Sequence, residues 1–375
     1  MKNMELKDEI IDNGELDKLI EKKIRNRNNK NEKNNKNKPS KQNKKEKKDK
    51  ENKVKKIVFI VLKVILVLFI LFAIFVFLFF KTSLFQKYKE IWVETAMSTM
   101  NHKYLATWFL SDEEIQAILD KLEVHNDEDS NSDEIIIAEV NEEEKTESKE
   151  IKVEKITGKN YVGYVMIVPD ASKVKMVDSR KGSTGTKLTE IVSKNNAIAG
   201  INAGGFTDVD GKGLGGELCR PTIINKKLLF GASGVRYSLI GLSSDYKLVL
   251  GKYSYQEAIN QGIVSAIEFG PYLIVNGKNQ ITNESSGGIH PRMAIGQRKD
   301  GTFIFVCIDG RQPGYSLGTN LLELQNIFNR YEAYNAANLD GGSSATMVYN
   351  GKVVNKTSTP AGQRYLPNAF IVEKD

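Results

Sequence analysis

The stretch RMAIGQRKDGTFIFVCIDGR, Arg292–Arg311, decides the reading of the fold. Two apolar runs, RMAIGQ and TFIFVCID, flank Lys299-Asp300-Gly301. A KDG turn between β-type runs is a hairpin signal. The same texture recurs from about Ile151 to the end: YVGYVMIVPD, KVKMVDS, AIAGIN, PTIINKKLLFG, YSLIGLSSDYKLVLG, YLIVNGK, ATMVYNGKVVN and NAFIVEK. YNGK is a second strong hairpin turn. Helical spacing appears only in KLTEIVSKNN, SYQEAINQG and NLLELQNIFNRYEA. Many hairpins and few helices predict an α+β domain over residues 151–375, with mixed or antiparallel sheets. No GxGxxG, GxxxxGK or internal repeat is present.

Upstream the composition changes. Residues 1–56 carry a net charge of about +9, leaving about −2 for the rest of a chain whose total is +7. The basic charge therefore belongs to a tail and gives no argument for nucleic acid as a partner. This tail is low in complexity and poor in apolar residues, which predicts disorder. Its early part, ELKDEIIDNGELDKLIEKKI, has apolar residues at the spacing of a short amphipathic helix. Residues 57–80, IVFIVLKVILVLFILFAIFVFLFF, would span about 36 Å as a helix, enough for a bilayer core. Lys63 can snorkel toward the basic flank. The run is too long for the apolar region of a cleaved signal peptide, and no small-residue cleavage site follows. These features predict a retained single-pass anchor in the cell membrane. The preceding lysines place the N-terminus in the cytoplasm and the rest of the chain outside it.

Residues 81–125 read as a helical stalk, with SDEE as a helix start. Residues 126–150 are acidic and read as a linker in which EIIIAEV could pair as a strand. Cys219 and Cys307 are the two cysteines. Cys307 lies in an apolar run and reads as a buried thiol. Whether the two pair is left open by the sequence.

Within the β-rich domain, polar residues gather where strands stop. INAGGF brings Asn202, Gly204 and Gly205; GGELCRP brings Glu217 and Arg220. Glu268 follows in AIEFGP, and HPRMAIG carries His290 and Arg292. CIDGRQPGYSLG holds Asp309 and Arg311, and GQRYLPNAF holds Arg364 and Asn368. Glycines beside these residues allow backbone or ligand to come close. In NLDGGSSATM, Asn338–Met347, a single acid, Asp340, precedes Gly341, Gly342, Ser343 and Ser344. That segment reads as a plain turn, as a serine nucleophile's loop, or as a carboxylate aimed into a site. The serine reading fails for want of a base: His290 is the one histidine of the domain, and no GxSxG elbow occurs. Arginine's planar fork suits phosphate or carboxylate oxygens. Arginines with carboxylates on glycine-lined loops therefore suggest binding or cleavage of an anionic substrate.

The ordered series INAGGF, GPYLIVNGK, HPRMAIG, FVCIDGR, LLEL, ANLDGGSSATM and NAFIV resembles the phosphodiester glycosidase family over roughly residues 151–375. CIDGR and NLDGGSS, separated by a helix, are its most specific parts. The resemblance implies an α+β fold and a hydrolase that cuts the bond between a sugar C1 and a phosphate oxygen. The anchor, the helical stalk and their order also resemble those of membrane-tethered bacterial members, many of them associated with exopolysaccharide. Such chemistry asks for cations on the phosphate, for which Arg292, Arg311 and Arg364 are candidates. It also asks for a carboxylate that activates water or attacks C1, with Asp340 the first choice and Asp309 the second. Asn202 and the backbone of Gly204 and Gly205 would hold sugar hydroxyls or a phosphate oxygen. Gly341 and Gly342 would clear space, and Ser343 and Ser344 would donate hydrogen bonds. His290, Glu217, Glu268, Glu323 and Asn368 complete the candidates, Glu268 standing where the family has a small residue. No metal or cofactor is demanded, although Asp309 and Asp340 would share a hard cation if they converged. A non-catalytic module binding anionic polysaccharide, or a transferase of polysaccharide assembly, are the alternatives.

Overall fold

The computed structural model describes residues 13–36, 41–99, 102–124, 128–137, 150–208 and 213–374. It divides into two units, Met1–Leu78 and Phe79–Asp375.

The first unit is helical, with helices at Asn13–Lys36 and Lys41–Lys81, the latter running on past the unit boundary. Of the low-complexity basic stretch, read from sequence as disordered, residues 25–36 and 41–56 are helical, lysine being a good helix former, and residues 37–40 lie outside the described residues. The amphipathic segment expected near the start falls partly on residues 1–12, outside the described residues. Lys45–Lys81 is long and apolar enough to cross a membrane, by length and composition, and its apolar side chains up to Phe75 are exposed. The Lys63 ammonium lies 4.6 Å from the centre of the Phe59 ring, one turn back toward the basic flank.

The second unit begins with three helices, Gln86–Met97, Tyr104–Thr107 and Asp112–Leu122. The last starts where SDEE predicted: Ser111 and Glu114 form a reciprocal capping box. Phe80 stacks on Phe109 with ring centres 4.5 Å apart, and Trp92 Nε1 donates to the Leu105 carbonyl. These helices lie against the loop 284–289. Ile289 N donates to Thr95 Oγ1 (3.1 Å) and Ser286 Oγ donates to the Leu122 carbonyl (3.2 Å).

Of the acidic stretch, residues 128–137 are described, and 125–127 and 138–149 fall outside. Ser130 N donates to the Leu250 carbonyl, Lys252 N to Asp129, and Ile136 N to the Lys299 carbonyl. Ile135 is buried. This part of the stretch is thus laid on the sheet edges by backbone bonds.

Among the described residues, three large antiparallel sheets and a two-stranded one, Thr186–Lys187 with Tyr365–Leu366, carry the rest, as the hairpin texture predicted. The first has seven strands in the order Lys152–Thr157, Val162–Val168, Phe303–Ile308, Arg292–Gln297, Asn335–Leu339, Tyr272–Val275, Lys278–Asn279. The second runs Lys227–Phe230, Thr222–Ile224, Ile263–Glu268, Tyr237–Ser243, Leu248–Tyr253. The third runs Lys352–Val353, Met347–Tyr349, Ala197–Asn202, Asn368–Glu373, Val174–Asp178. The KDG hairpin joins Arg292–Gln297 to Phe303–Ile308, with Arg292 opposite Ile308. At the YNGK turn, Asn350 and Gly351 both have positive φ, the pattern of a tight primed hairpin.

The main core lies between sheets and includes Met166, Phe305 and Cys307 of the first, Ile240 and Leu250 of the second, and Ile201 and Phe370 of the third. The other face of the seven-stranded sheet packs on the helix Leu321–Arg330 through Leu324, Ile327 and Phe328. Cys307 is buried in this core and Cys219 is exposed, and both are free thiols.

Candidate active site

Register sends the chemistry to one end of the sheets. Met293 pairs with Leu339 and Arg292 with Ile308, so Asp340, Asp309 and the loop before Arg292 leave the first sheet at a common edge. Ala369 pairs with Asn202 and Ile201 with Met347, so the ends of the third sheet meet the same edge. Asn202 is the staple between them. Its Nδ2 donates to the Asp340 carbonyl oxygen (2.6 Å) and its Oδ1 accepts from Thr346 N (3.0 Å). Asp340 N donates to the Ala203 carbonyl (3.1 Å). Asn202, offered by sequence as a sugar ligand, is buried and spent on holding the Asp340 loop.

The Asp340 side chain sits partly covered among Ser344, Arg364, Arg220 and Arg311. Burial raises its pKa to about 6; the Ser344 hydroxyl and the three guanidinium groups pull the other way without cancelling it. A carboxylate poised there exchanges its proton near neutral pH. The glycines after it are sterically required. A Cβ at Gly341 would stand 2.6 Å from the Pro291 carbonyl oxygen, and Gly342 has φ +58 with the Arg311 guanidinium 3.4 Å from its would-be Cβ. Gly341→Ala is expected to push the loop off Pro291 and cost about 2 kcal/mol, read by chemical denaturation.

The three arginines differ in what already holds them. Arg364 is ion-paired with Asp208, donates to Ser343 Oγ (3.0 Å) and lies 4.8 Å over the Phe206 ring. Arg220 faces Glu268 at 3.8 Å and lies over Phe269. Arg311 donates to His290 Nδ1 (3.3 Å), and its backbone is held at φ +58 by Gln312–Ser316 pairing and a bond from its own N–H to the Leu317 carbonyl. That left-handed backbone costs roughly 1–2 kcal/mol in a residue with a Cβ. Strain of this kind gathers at functional sites. DGR is thus a left-handed turn that carries Arg311 off the line of its strand.

Arg292 goes elsewhere. Its Nε donates to the Thr319 carbonyl (3.1 Å) and its Nη2 to the carbonyls of Gly287 and Gly288. It is buried, and burial lowers its pKa to about 10. It braces the loops 287–288 and 319. Arg292→Met is expected to strand those carbonyls and destabilise the domain by about 3 kcal/mol in a denaturant titration.

Asp309 is also engaged. Its Oδ1 accepts from Asn355 Nδ2 (3.1 Å) and Lys356 N (3.0 Å), its Oδ2 from Tyr315 OH (2.9 Å), and its carbonyl from Ser316 Oγ (2.6 Å). Burial raises its pKa, opposed first by the Asn355 bond. It ties the loop after CID to the segment at Asn355. Glu323 accepts from Thr319 Oγ1 (2.9 Å) in the first turn of its helix, and Glu217 is exposed. Asn368 Oδ1 accepts from Gly204 N (2.7 Å), while its buried Nδ2 has no partner among the described residues. Gly205 packs beside Phe269 and Cys219.

Arg220, Asp208 and Phe269 join the site although sequence reading gave them no role. Arg220 stood in the GGELCRP cluster beside Glu217, and its strand-end position was the available signal. Beside them opens a cleft of about 600 Å³ lined by Arg220, Glu268, Phe269 and Pro271 on one wall and by Gln116 and Asp120 on the other. Asp340 does not line this cleft, but Arg220, which bears on Asp340, does.

A family model described as phosphodiester glycosidase matches residues 195–373. The match starts later than the sequence resemblance, so the strands Lys152–Thr157, Val162–Val168 and Val174–Asp178 fall outside it while sharing its sheets. The Bacillus subtilis SPbeta prophage-derived uncharacterized protein YomE is 35% identical over 104 residues, 27% of this chain and 16% of that one. Human N-acetylglucosamine-1-phosphodiester alpha-N-acetylglucosaminidase is 28% identical over 162 residues, 38% of this chain and 31% of that one. The chain therefore spans less than a third of the length of these curated relatives. In fold it is similar to the zebrafish N-acetylglucosamine-1-phosphodiester alpha-N-acetylglucosaminidase catalytic domain, auto-inhibited by its pro-peptide. The TM-score is 0.50 at 22% identity, covering 60% of this chain and 83% of that one. Residues 195–373 of the chain thus match the phosphodiester glycosidase family.

Proposed function

We propose that this chain hydrolyses the C1–O–P bond of a sugar-1-phosphodiester in a surface glycopolymer, with its domain held outside the cell by the apolar helix. The observation that carries the reading is Asp340, a partly covered carboxylate with pKa near 6 facing three arginines in a domain that matches this family.

The chemistry follows from charge. Water bonds to C1 as Asp340 takes its proton, and the C1–O bond breaks with its electron pair leaving on the phosphate. The leaving group is a phosphate monoester, already weakly basic, so it needs cations more than a proton. Arg364 and Arg220 are each offset by an acid, Asp208 and Glu268. Arg311 has the imidazole of His290 as its hydrogen-bond partner, so its charge is available to the developing dianion. Arg292 and Asp309 serve as braces for the loops that present Arg311.

Asp340 must be ionised to act, so activity is expected to rise with pH through about 6 and level above it. A kcat/KM profile over pH 4–8 reads this, and a limb near pH 4 would count against Asp340 as base. The anchor reading predicts that the full chain stays with the membrane pellet after alkaline carbonate washing. The functional test is the full chain in detergent with a panel of sugar-1-phosphodiesters, assayed for reducing sugar. Steady binding without product would favour the binding-module alternative. Transfer to an added polyol would favour the transferase.

A further inference from the structure

The helix Gln86–Met97 lies outside the region matched by the family model, yet its C-terminal end reaches the candidate site. Ser98, its C-cap, places Oγ 2.6 Å from His290 Nε2. On the other side of the ring, His290 Nδ1 lies 3.3 Å from Arg311 Nη2. A guanidinium only donates, so Nδ1 must be the unprotonated acceptor and Nε2 must carry the hydrogen. Nε2–H then donates to Ser98 Oγ, and the Ser98 hydroxyl donates to the Thr95 carbonyl (3.2 Å). The chain has one direction: Arg311 to His290 to Ser98 to the helix backbone.

We propose that Ser98 and His290 are positioning residues that orient Arg311, so that the membrane-proximal helices are part of the active site. The backbone that carries the ring is fixed as well: His290 N and O exchange bonds with Thr319, and His290 is buried. Burial, then the charges of Arg292 and Arg311, hold it neutral with a pKa near 3, the form the chain of bonds requires. The same helix adds Thr95 Oγ1 as acceptor for Ile289 N, one residue before His290. Three residues past the end of its strand at Ile308, Arg311 is bent into a left-handed backbone and cannot be aimed by that strand. The imidazole is the group that fixes the direction of its fork.

This rests on Arg311 as the anion-holding residue, and the test separates the two. The full chain, labelled with ¹⁵N-histidine, has only three histidines. Its long-range ¹⁵N–¹H spectrum in detergent is expected to show His290 as the Nε2–H tautomer at pH 7. Ser98→Ala is expected to shift the His290 Nε2 signal, weaken inorganic phosphate binding, and lower kcat/KM about five- to tenfold. Ser98→Thr, which keeps the hydroxyl, is expected to stay within about twofold. In an Arg311→Gln background Ser98→Ala is expected to add nothing, a result that a merely structural role would not give. An Nδ1–H tautomer, or a Ser98→Ala effect unchanged by Arg311→Gln, overturns the proposal. If no diester is hydrolysed but the tautomer and phosphate affinity respond as stated, the positioning stands and the hydrolase reading falls.

Discussion

Asp340→Asn is expected to lower kcat on a sugar-1-phosphodiester by about 10³-fold or more while making the folded domain more stable at pH 8. The two effects share one cause. Burial holds the Asp340 pKa up to about 6 against an ordinary 3.8. Between about pH 4 and 6 the folded chain keeps a proton that the unfolded chain has released, so folding becomes less favourable as pH rises through that window. Above it the ionised carboxylate remains as a standing cost of about 2–3 kcal/mol. Asparagine carries no charge to desolvate and keeps the shape, so the cost disappears. At pH 4, where the native carboxyl is protonated, the gain should vanish. Denaturant midpoints at the two pH values, set beside the kinetics, read both effects. An inactive variant that was also unstable at pH 8 would point to a collapsed loop instead of a lost base.

Arg311→Gln is expected to cost about 10²–10³ in kcat with little change in stability. Its guanidinium is the one whose recorded hydrogen-bond partner is a neutral ring. It lies against Gly342, whose missing side chain leaves the fork room over the Asp340 loop. Charge grows on the phosphate only as the C1–O bond breaks, so a donor aimed at that oxygen acts on kcat more than on KM. The contrast is Arg292→Met. That arginine gives its hydrogen bonds to three backbone carbonyls, and its loss should appear as instability of the whole domain. Measuring kcat and the unfolding midpoint for both variants separates the arginine that binds from the arginine that braces.

The sequence makes local features legible because they are settled by neighbours in the chain. KDG and YNGK announce hairpins through residues that accept positive φ. Ser111-Glu114 and Ser254-Glu257 announce helix starts through caps three residues apart. NLDGGSS and CIDGR mark the places where strands deliver side chains to one edge. What stays hidden depends on partners far along the chain. Asp309 looks as free as Asp340 in sequence, and only Asn355, Tyr315 and Lys356, brought in by the fold, occupy its oxygens. Arg292 changes from expected phosphate ligand to brace for the same reason: burial and carbonyl partners set its use. The contact of Ser98 with His290 spans 192 positions, and no local pattern reports it.

The central claim is that the bond cut lies between the sugar carbon and the bridging oxygen. The most direct measurement is hydrolysis of a sugar-1-phosphodiester by the full chain in H₂¹⁸O, with mass spectrometry of both products. Label on the sugar C1 hydroxyl, absent from the phosphate monoester, is the predicted result. Label on the phosphate would show attack at phosphorus and would contradict the claim.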